Sequence, residues 1–198
     1  MASPTFSRVL APKNDDSRLH EPRTRTPNPE LRVPHPENAA MDVRAADPRE
    51  INHLAQLWFD GWHEAHAQIV PLELTRLRTL ESFRDRLQAA LPQIRVVGPF
   101  RSPLGFSVLK GDELYQLFVS APARGSGAAH ALMADAEARL LAGGVETAWL
   151  ACAIGNERAA RFYEKCGWHR VGTMVNQAET LEGTFPLEVW RYEKSLTR

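Results

Sequence analysis

A run of small residues, Arg124-Gly125-Ser126-Gly127-Ala128-Ala129, lies between a strand-like run, Leu114 to Val119, and a helix-like run, Gly127 to Leu141. A strand that turns into a helix through such a loop constrains fold and chemistry together. The glycines let backbone N–H groups approach an anion closely, and the helix behind them directs its N-terminus at the same point. Spacing excludes the familiar alternatives. No Lys-Ser or Lys-Thr follows the glycines, as a P-loop requires, and the dinucleotide fingerprint G-x-G-x-x-G is absent. Ser126 is not a hydrolase nucleophile either, because G-x-S-x-G needs glycines where Arg124 and Ala128 stand.

A second motif lies downstream: Asn156-Glu157-Arg158-Ala159-Ala160-Arg161-Phe162-Tyr163, then Glu164-Lys165-Cys166-Gly167-Trp168. Together the two stretches resemble the GCN5-related N-acetyltransferase (GNAT) family, whose pyrophosphate loop reads Q/R-x-x-G-x-G/A and whose next motif reads N-x-x-A-x-x-F-Y-x-x-x-G-F. Trp168 stands where the family usually has Phe. The resemblance implies an α/β acyl-CoA N-acyltransferase fold: a mixed, mostly antiparallel sheet with two splayed parallel central strands, flanked by helices. It also implies acetyl-CoA as the donor.

Composition agrees with one such domain and an extension. A chain of 198 residues, 43% apolar, buries a full core without disulfides or metals. Lys plus Arg and Asp plus Glu balance at 24 each, so no overall field selects nucleic acid or an anionic membrane as partner. Cys152 and Cys166 form no C-x-x-C or Cys/His cluster, so no metal site is expected. Both read as small buried apolar groups in a reduced, cytoplasmic setting. No apolar run approaches the roughly twenty residues of a membrane span, and no signal-peptide core opens the chain.

Half of the 14 prolines fall within residues 1–40, among Arg, Asp, Asn and Thr and without apolar periodicity. That segment is expected to be disordered or loosely packed. It is either a docking or regulatory tail or an upstream extension of a protein that starts at Met41. Residues 41–198 are the expected acetyltransferase domain. Val43-Arg44-Ala45 reads as a strand, and Asp47-Pro48-Arg49-Glu50 as a capping-box start for a helix carrying Ile51, Leu54, Ala55, Trp58 and Trp62 on one stripe. A second helix is expected from about Glu73 to Ala90. Strands are expected at Ile94 to Val97, Gly105 to Leu109 and Glu113 to Val119, then a helix from Ala128 to Leu141. Val145 to Ala153 (strand), Glu157 to Cys166 (helix) and the strands Trp168 to Val175 and Phe185 to Tyr192 complete the order.

The resemblance assigns roles residue by residue. Between the splayed strands, the backbone of Leu117, Phe118 and Val119 would hold the pantetheine arm as an added strand. The N–H groups from Arg124 through Gly125, Ser126, Gly127, Ala128 and Ala129 would hold the pyrophosphate. The Arg124 side chain either contacts a phosphate or is a solvated loop arginine. Asn156 would cap its helix and touch the pantetheine arm.

Amide formation from a thioester needs two proton transfers. A free alkyl amine has a pKa near 10.4, so only about one molecule in 10³ is nucleophilic at pH 7, a handicap of roughly 4 to 5 kcal/mol. A base is therefore needed, and a donor eases departure of the thiolate. Tyr163 stands where the family places the acid, with an aromatic anchor as its other reading. Glu113, opening the central strand, is the first candidate base. Glu64, His63 and His66 are further candidates near the acceptor; His-Glu-Ala-His is not a zinc motif, since H-E-x-x-H needs a histidine at Ala67. His130 and His169 rank below them. Trp58, Trp62 and Trp149 line an acceptor pocket or belong to the core. A small-molecule amine is the first expected acceptor and a protein amine the second, with a homodimer left open. A non-catalytic acyl-CoA sensor is the reading from another class.

Overall fold

The computed structural model describes residues 42–196, and the expectations for residues 1–40 lie outside them. The elements run β1 (Val43–Ala45), α1 (Ile51–His66), α2 (Leu72–Leu77), α3 (Leu80–Ala90), β2 (Ile94–Val97), β3 (Gly105–Lys110), β4 (Glu113–Val119), α4 (Ala128–Ala142), β5 (Thr147–Ala153), α5 (Glu157–Lys165), β6 (His169–Thr180) and β7 (Gly183–Ser195). They form one mixed seven-stranded sheet in the order β1-β2-β3-β4-β5-β7-β6. Every neighbouring pair is antiparallel except β4 and β5.

The capping box before α1 forms as its residue types require. Asp47 accepts from the Arg49 N–H and Glu50 reaches back to the Asp47 N–H. Arg44 holds the buried Glu50 carboxylate with two bonds of 2.7 and 2.8 Å, a buried charge fully matched by its partner. The apolar stripe of α1 then packs with Phe83 and Leu87 of α3 against Ile94, Val96, Phe106 and Val108 of the sheet.

The expected helix from Glu73 to Ala90 is instead two helices. The break falls at Arg78, whose ψ of 64° leaves the helical region, and Thr79 then caps α3 by accepting from the Ser82 N–H. A threonine three residues ahead of a free N–H competes with helix continuation. Arg78 is thereby turned inward and is only 5% exposed.

On the other face, Met133, Ala136 and Leu140 of α4 pack with Leu114, Leu150 and Cys152 and with Ala160 of α5. Gly167, at φ 81°, ends α5 in the left-handed conformation, and the Trp168 N–H closes back on the Tyr163 carbonyl. Trp168 is fully buried and lies just outside β6. Where a phenylalanine would bring no polar atom, its indole N–H donates to Glu137, which Lys194 neutralises.

The closing hairpin is longer than expected, with β6 reaching Thr180 and β7 starting at Gly183. Ala178 near its tip joins the α1 and α3 core, so the hairpin curls back over that half of the sheet. Among the described residues, no helix is long and apolar enough to cross a membrane.

Candidate active site

The parallel contact between β4 and β5 consists of one register pair, Glu113 with Trp149. The Trp149 N–H donates to the Asp112 carbonyl at 3.2 Å and its indole N–H to the Asp112 carboxylate at 2.9 Å. Beyond that clasp the strands separate. β5 remains fully paired to β7, and β4 stays paired to β3 on both sides of a bulge, so the opening leaves a sheet edge on each side of a wedge. A bulge in β4 precedes it: Val108 faces Gln116 while Leu109 faces Leu114, leaving Tyr115 as the extra residue.

Strand phase decides which backbone groups face the wedge. The Ser120 N–H donates to the Leu104 carbonyl, and antiparallel pairs alternate between bonded and unbonded positions. Phe118 therefore bonds across to Phe106, and the polar groups of Leu117 and Val119 point away from β3 towards β5.

The loop at the end of β4 folds as its glycines dictate. Gly125 and Gly127 have φ of 81° and 94°, in the left-handed region that residues with a Cβ disfavour. A Cβ on Gly125 would meet nothing within 4 Å, so its backbone borders open space in the cavity. Not every expected donor is available. The N–H groups of Arg124 and Ser126 bond to the Ala121 and Ala123 carbonyls, and that of Ala128 reaches Ser126 Oγ at 3.4 Å. Gly127 caps α4 without a side-chain bond, so Gly125, Gly127 and Ala129 carry the N–H groups left for an anion. The Arg124 side chain is exposed but ion-paired: both its terminal nitrogens bind Glu64, which also accepts from Arg158 at 2.8 Å.

Wedge, loop and α5 open onto one cavity of about 510 Å³. Glu113, Leu117, Phe118, Val119, Arg124, Gly125, Gly127, Ala129, Asn156 and Tyr163 line it. Ser126 and Ala128 do not; Ser126 Oγ donates to the Ala123 carbonyl and Ala128 is buried against Leu132 and Val97. Asn156 caps α5, its Oδ1 accepting from the Ala159 N–H at 3.2 Å. Phe162 lines the cavity as well as packing on the core, edge-on to His130 at 5.2 Å.

Burial pushes the Glu113 carboxyl up to about 7; Lys110 opposes the shift while Asp112 and Glu179 add to it. Only 8% exposed, it is poised to exchange a proton near neutrality. Tyr163 sits beside Phe162 and Tyr192, each with ring centroids 5.8 Å away, and burial raises its pKa far enough to keep the phenol protonated. Cys152 also lines the cavity, but burial pushes its thiol up to about 12 and leaves it unreactive.

The other candidate bases fare differently. Glu64 is held down to about 2 by Arg124 and then Arg158, which makes it an ion-pair partner rather than a base. His66 lies in the cavity wall with Nδ1 against the Trp62 carbonyl, and burial lowers it to about 4. His63 Nε2 bonds to the Arg78 carbonyl and secures the α2–α3 turn. His130 lines the cavity and His169 does not. Of the three tryptophans, Trp62 lines the cavity, Trp58 is core and Trp149 belongs to the strand clasp.

The cavity wall also contains residues that sequence reasoning missed: Arg78, Arg86, Tyr115 and Glu179. Tyr115 accepts from Arg86 at 2.7 Å and donates to Glu179 at 2.7 Å across 64 residues of sequence. Tyr115, two residues after Glu113 in a central strand, was the one local signal. Among the described residues no cluster of His, Cys, Asp and Glu suits a metal ion.

Comparison with known proteins agrees with this geometry. Residues 103–168 match the family model described as the Acetyltransferase (GNAT) family. A solved GCN5-related N-acetyltransferase from Rhodopseudomonas palustris superposes with a TM-score of 0.61 at 19% identity, over 78% of this chain and 94% of that one. A ribosomal-protein-alanine N-acetyltransferase from Brucella melitensis gives 0.59 at 16% identity, over 78% and 99%. A PaiA N-acetyltransferase from Thermoplasma acidophilum in complex with coenzyme A gives 0.54 at 17% identity, over 78% and 98%. No curated protein matches the chain. At these identities the likeness is one of fold, and the fold is the GNAT type expected from the sequence.

Proposed function

We propose that this chain transfers an acetyl group from acetyl-CoA to the primary amine of a small molecule, by direct attack of the amine on the thioester. The observation that carries the reading is the convergence of an unpaired β4 edge, a glycine loop with free N–H groups, a carboxyl with pKa about 7 and a protonated phenol on one cavity. The residues fit the donor: Leu117 and Val119 offer strand-like pairing to a pantetheine amide, and Gly125, Gly127 and Ala129 offer N–H groups to a pyrophosphate. Asn156 and Tyr163 line the same cavity. When bound, acetyl-CoA supplies an activated acyl thioester.

The chain then has two tasks. Glu113, deprotonated above about pH 7, takes the proton of the amine, which lowers the cost of presenting a neutral nucleophile. Tyr163 keeps its proton at neutral pH and offers it to the departing thiolate. Cys152, a thiol at any physiological pH, is unsuited to hold the acyl group, which supports direct transfer over a covalent relay. The two free cysteines suit a reducing, cytoplasmic setting.

The test is acceptor-dependent release of CoA thiol across a broad amine panel, with calorimetry of acetyl-CoA binding alongside. Turnover with small amines supports the reading. Turnover only with peptide amines moves the acceptor to proteins, and tight binding with no turnover makes the chain a sensor.

A further inference from the structure

Resting on that acyl-transfer reading, we propose that the acceptor end of the cavity is an anion subsite in which Arg78 and Arg86 hold a carboxylate. The acceptor is then an amino-acid-like molecule that carries a carboxylate besides the amine to be acetylated.

Both guanidinium groups border the cavity, and among the described residues neither has a carboxylate of its own. Arg78 is 5% exposed; its Nη1 donates to the Glu179 backbone carbonyl, while its Nε is buried without a partner among the described residues. Arg86 gives Nη2 to the Tyr115 hydroxyl at 2.7 Å, and its Nε is likewise buried and unpartnered. The Arg86 guanidinium lies over the Trp58 ring, 4.4 Å from its centroid. The carboxylate that both could share, Glu179, is already divided between the Lys110 ammonium on Oε1 and the Tyr115 hydroxyl on Oε2.

Arg44 shows what a satisfied guanidinium looks like in this fold, with two bonds to Glu50. The Arg78 and Arg86 pair lacks that partner. Burial and then the neighbouring Arg86 lower Arg78 to about 10, which still leaves it charged at neutral pH. Two like charges held in the cavity wall, with Arg78 Nη2 and Arg86 Nη1 making no hydrogen bond among the described residues, are unfavourable in the empty protein, and a ligand carboxylate relieves that cost. The planar fork of arginine matches a carboxylate with paired N–H donors, which a single ammonium cannot do.

Position also agrees with chemistry. Lys110, the register partner of Glu113, binds Glu179; Glu179 accepts from the Tyr115 hydroxyl, and Tyr115 accepts from Arg86. The anion subsite and the base therefore share one end of the cavity, and a molecule held by its carboxylate presents its amine within that end.

The experiment pairs each amino carboxylate of a panel of α-, β- and γ-amino acids with its own carboxamide, which keeps the amine and removes the charge. With acetyl-CoA, the better carboxylates are expected to exceed their carboxamides in kcat/KM by about 10- to 100-fold. In Arg86→Gln that ratio is expected to fall close to one, and in Arg86→Lys to recover in part. Arg78→Gln tests the deeper residue, and Arg86→Gln keeps the test valid where the Arg78 variant fails to fold. A second readout needs no turnover: titration of tryptophan fluorescence with the same pairs, since Trp58 and Trp62 lie beside the two guanidinium groups. Saturable binding of carboxylates but not carboxamides, lost in Arg86→Gln, supports the subsite even if no amine is acetylated, a result that would remove the acyl-transfer reading alone. Equal use of both members of each pair, a preference unchanged in Arg86→Gln, or no saturable carboxylate binding in either assay overturns the subsite.

Discussion

Glu113 and Trp149 are the one register pair that joins β4 to β5, and the sheet opens from that point. The Asp112 and Trp149 bonds lock the closed end, so the residue expected to handle the amine proton is fixed at the apex of the wedge. A base placed there is buried by construction, and burial is what moves its pKa to about 7.

Replacing Glu113 by Gln is expected to lower kcat/KM by about 10²- to 10⁴-fold. In the wild type, activity should rise as pH passes about 7, and that limb should vanish in the variant. Stability should move the opposite way. A carboxyl raised from 4.5 to about 7 binds a proton in the folded protein that the unfolded chain releases, so wild-type stability declines as pH rises through that window. Glu113→Gln should therefore be more stable by about 1–3 kcal/mol at pH 8 and little changed at pH 4. Melting curves at the two pH values check the sign.

Tyr163→Phe retains the ring contacts with Phe162 and Tyr192 and removes the hydroxyl alone. Its kcat is expected to fall by about 10²-fold with KM for acetyl-CoA nearly unchanged. A kcat within about twofold of wild type would leave Tyr163 as a packing residue only.

Gly127→Val places a β-branched side chain at φ 94°, in front of the α4 N-terminus. The backbone strain should cost about 1–3 kcal/mol, and acetyl-CoA binding should be lost. Far-UV circular dichroism with calorimetry separates the two: a folded variant of unchanged affinity would remove the loop from the donor site.

Glu64→Gln releases Arg124 and Arg158, which Glu64 now holds beside the loop. Two freed guanidinium groups and one negative charge fewer should strengthen acetyl-CoA binding by about two- to fivefold, with a steeper salt dependence. Weaker binding would show that the ion pairs shape the loop instead of competing for its ligand.

The glycine loop and the Asn156 cap that line the cavity were legible in sequence because they are built from local backbone geometry. Gly125 and Gly127 announce positive φ, Asn156 announces a helix cap, and a strand followed by a helix announces the N-terminus aimed between them. The Trp58 and Trp62 stripe announced a core-facing α1 for the same reason. The break at Arg78 is not legible in sequence because the apolar spacing continues through it, and only the Thr79 cap decides between one helix and two.

Sequence by itself determined the order of the strands along the chain, the glycine loop and the placement of Asn156 and Tyr163 at the start and towards the end of one helix, since each depends on residues within a turn or two of one another. Tertiary structure alone decided the polar cluster at Arg78, Arg86, Tyr115 and Glu179. Arg78 comes from the turn between α2 and α3, Arg86 from α3, Tyr115 from a bulge in β4 and Glu179 from near the tip of a hairpin, and they meet because Ala178 packs that hairpin onto the α1 and α3 core. Side chains that converge across 64 residues carry no local period or spacing, and their charges acquire meaning only when burial removes water from them.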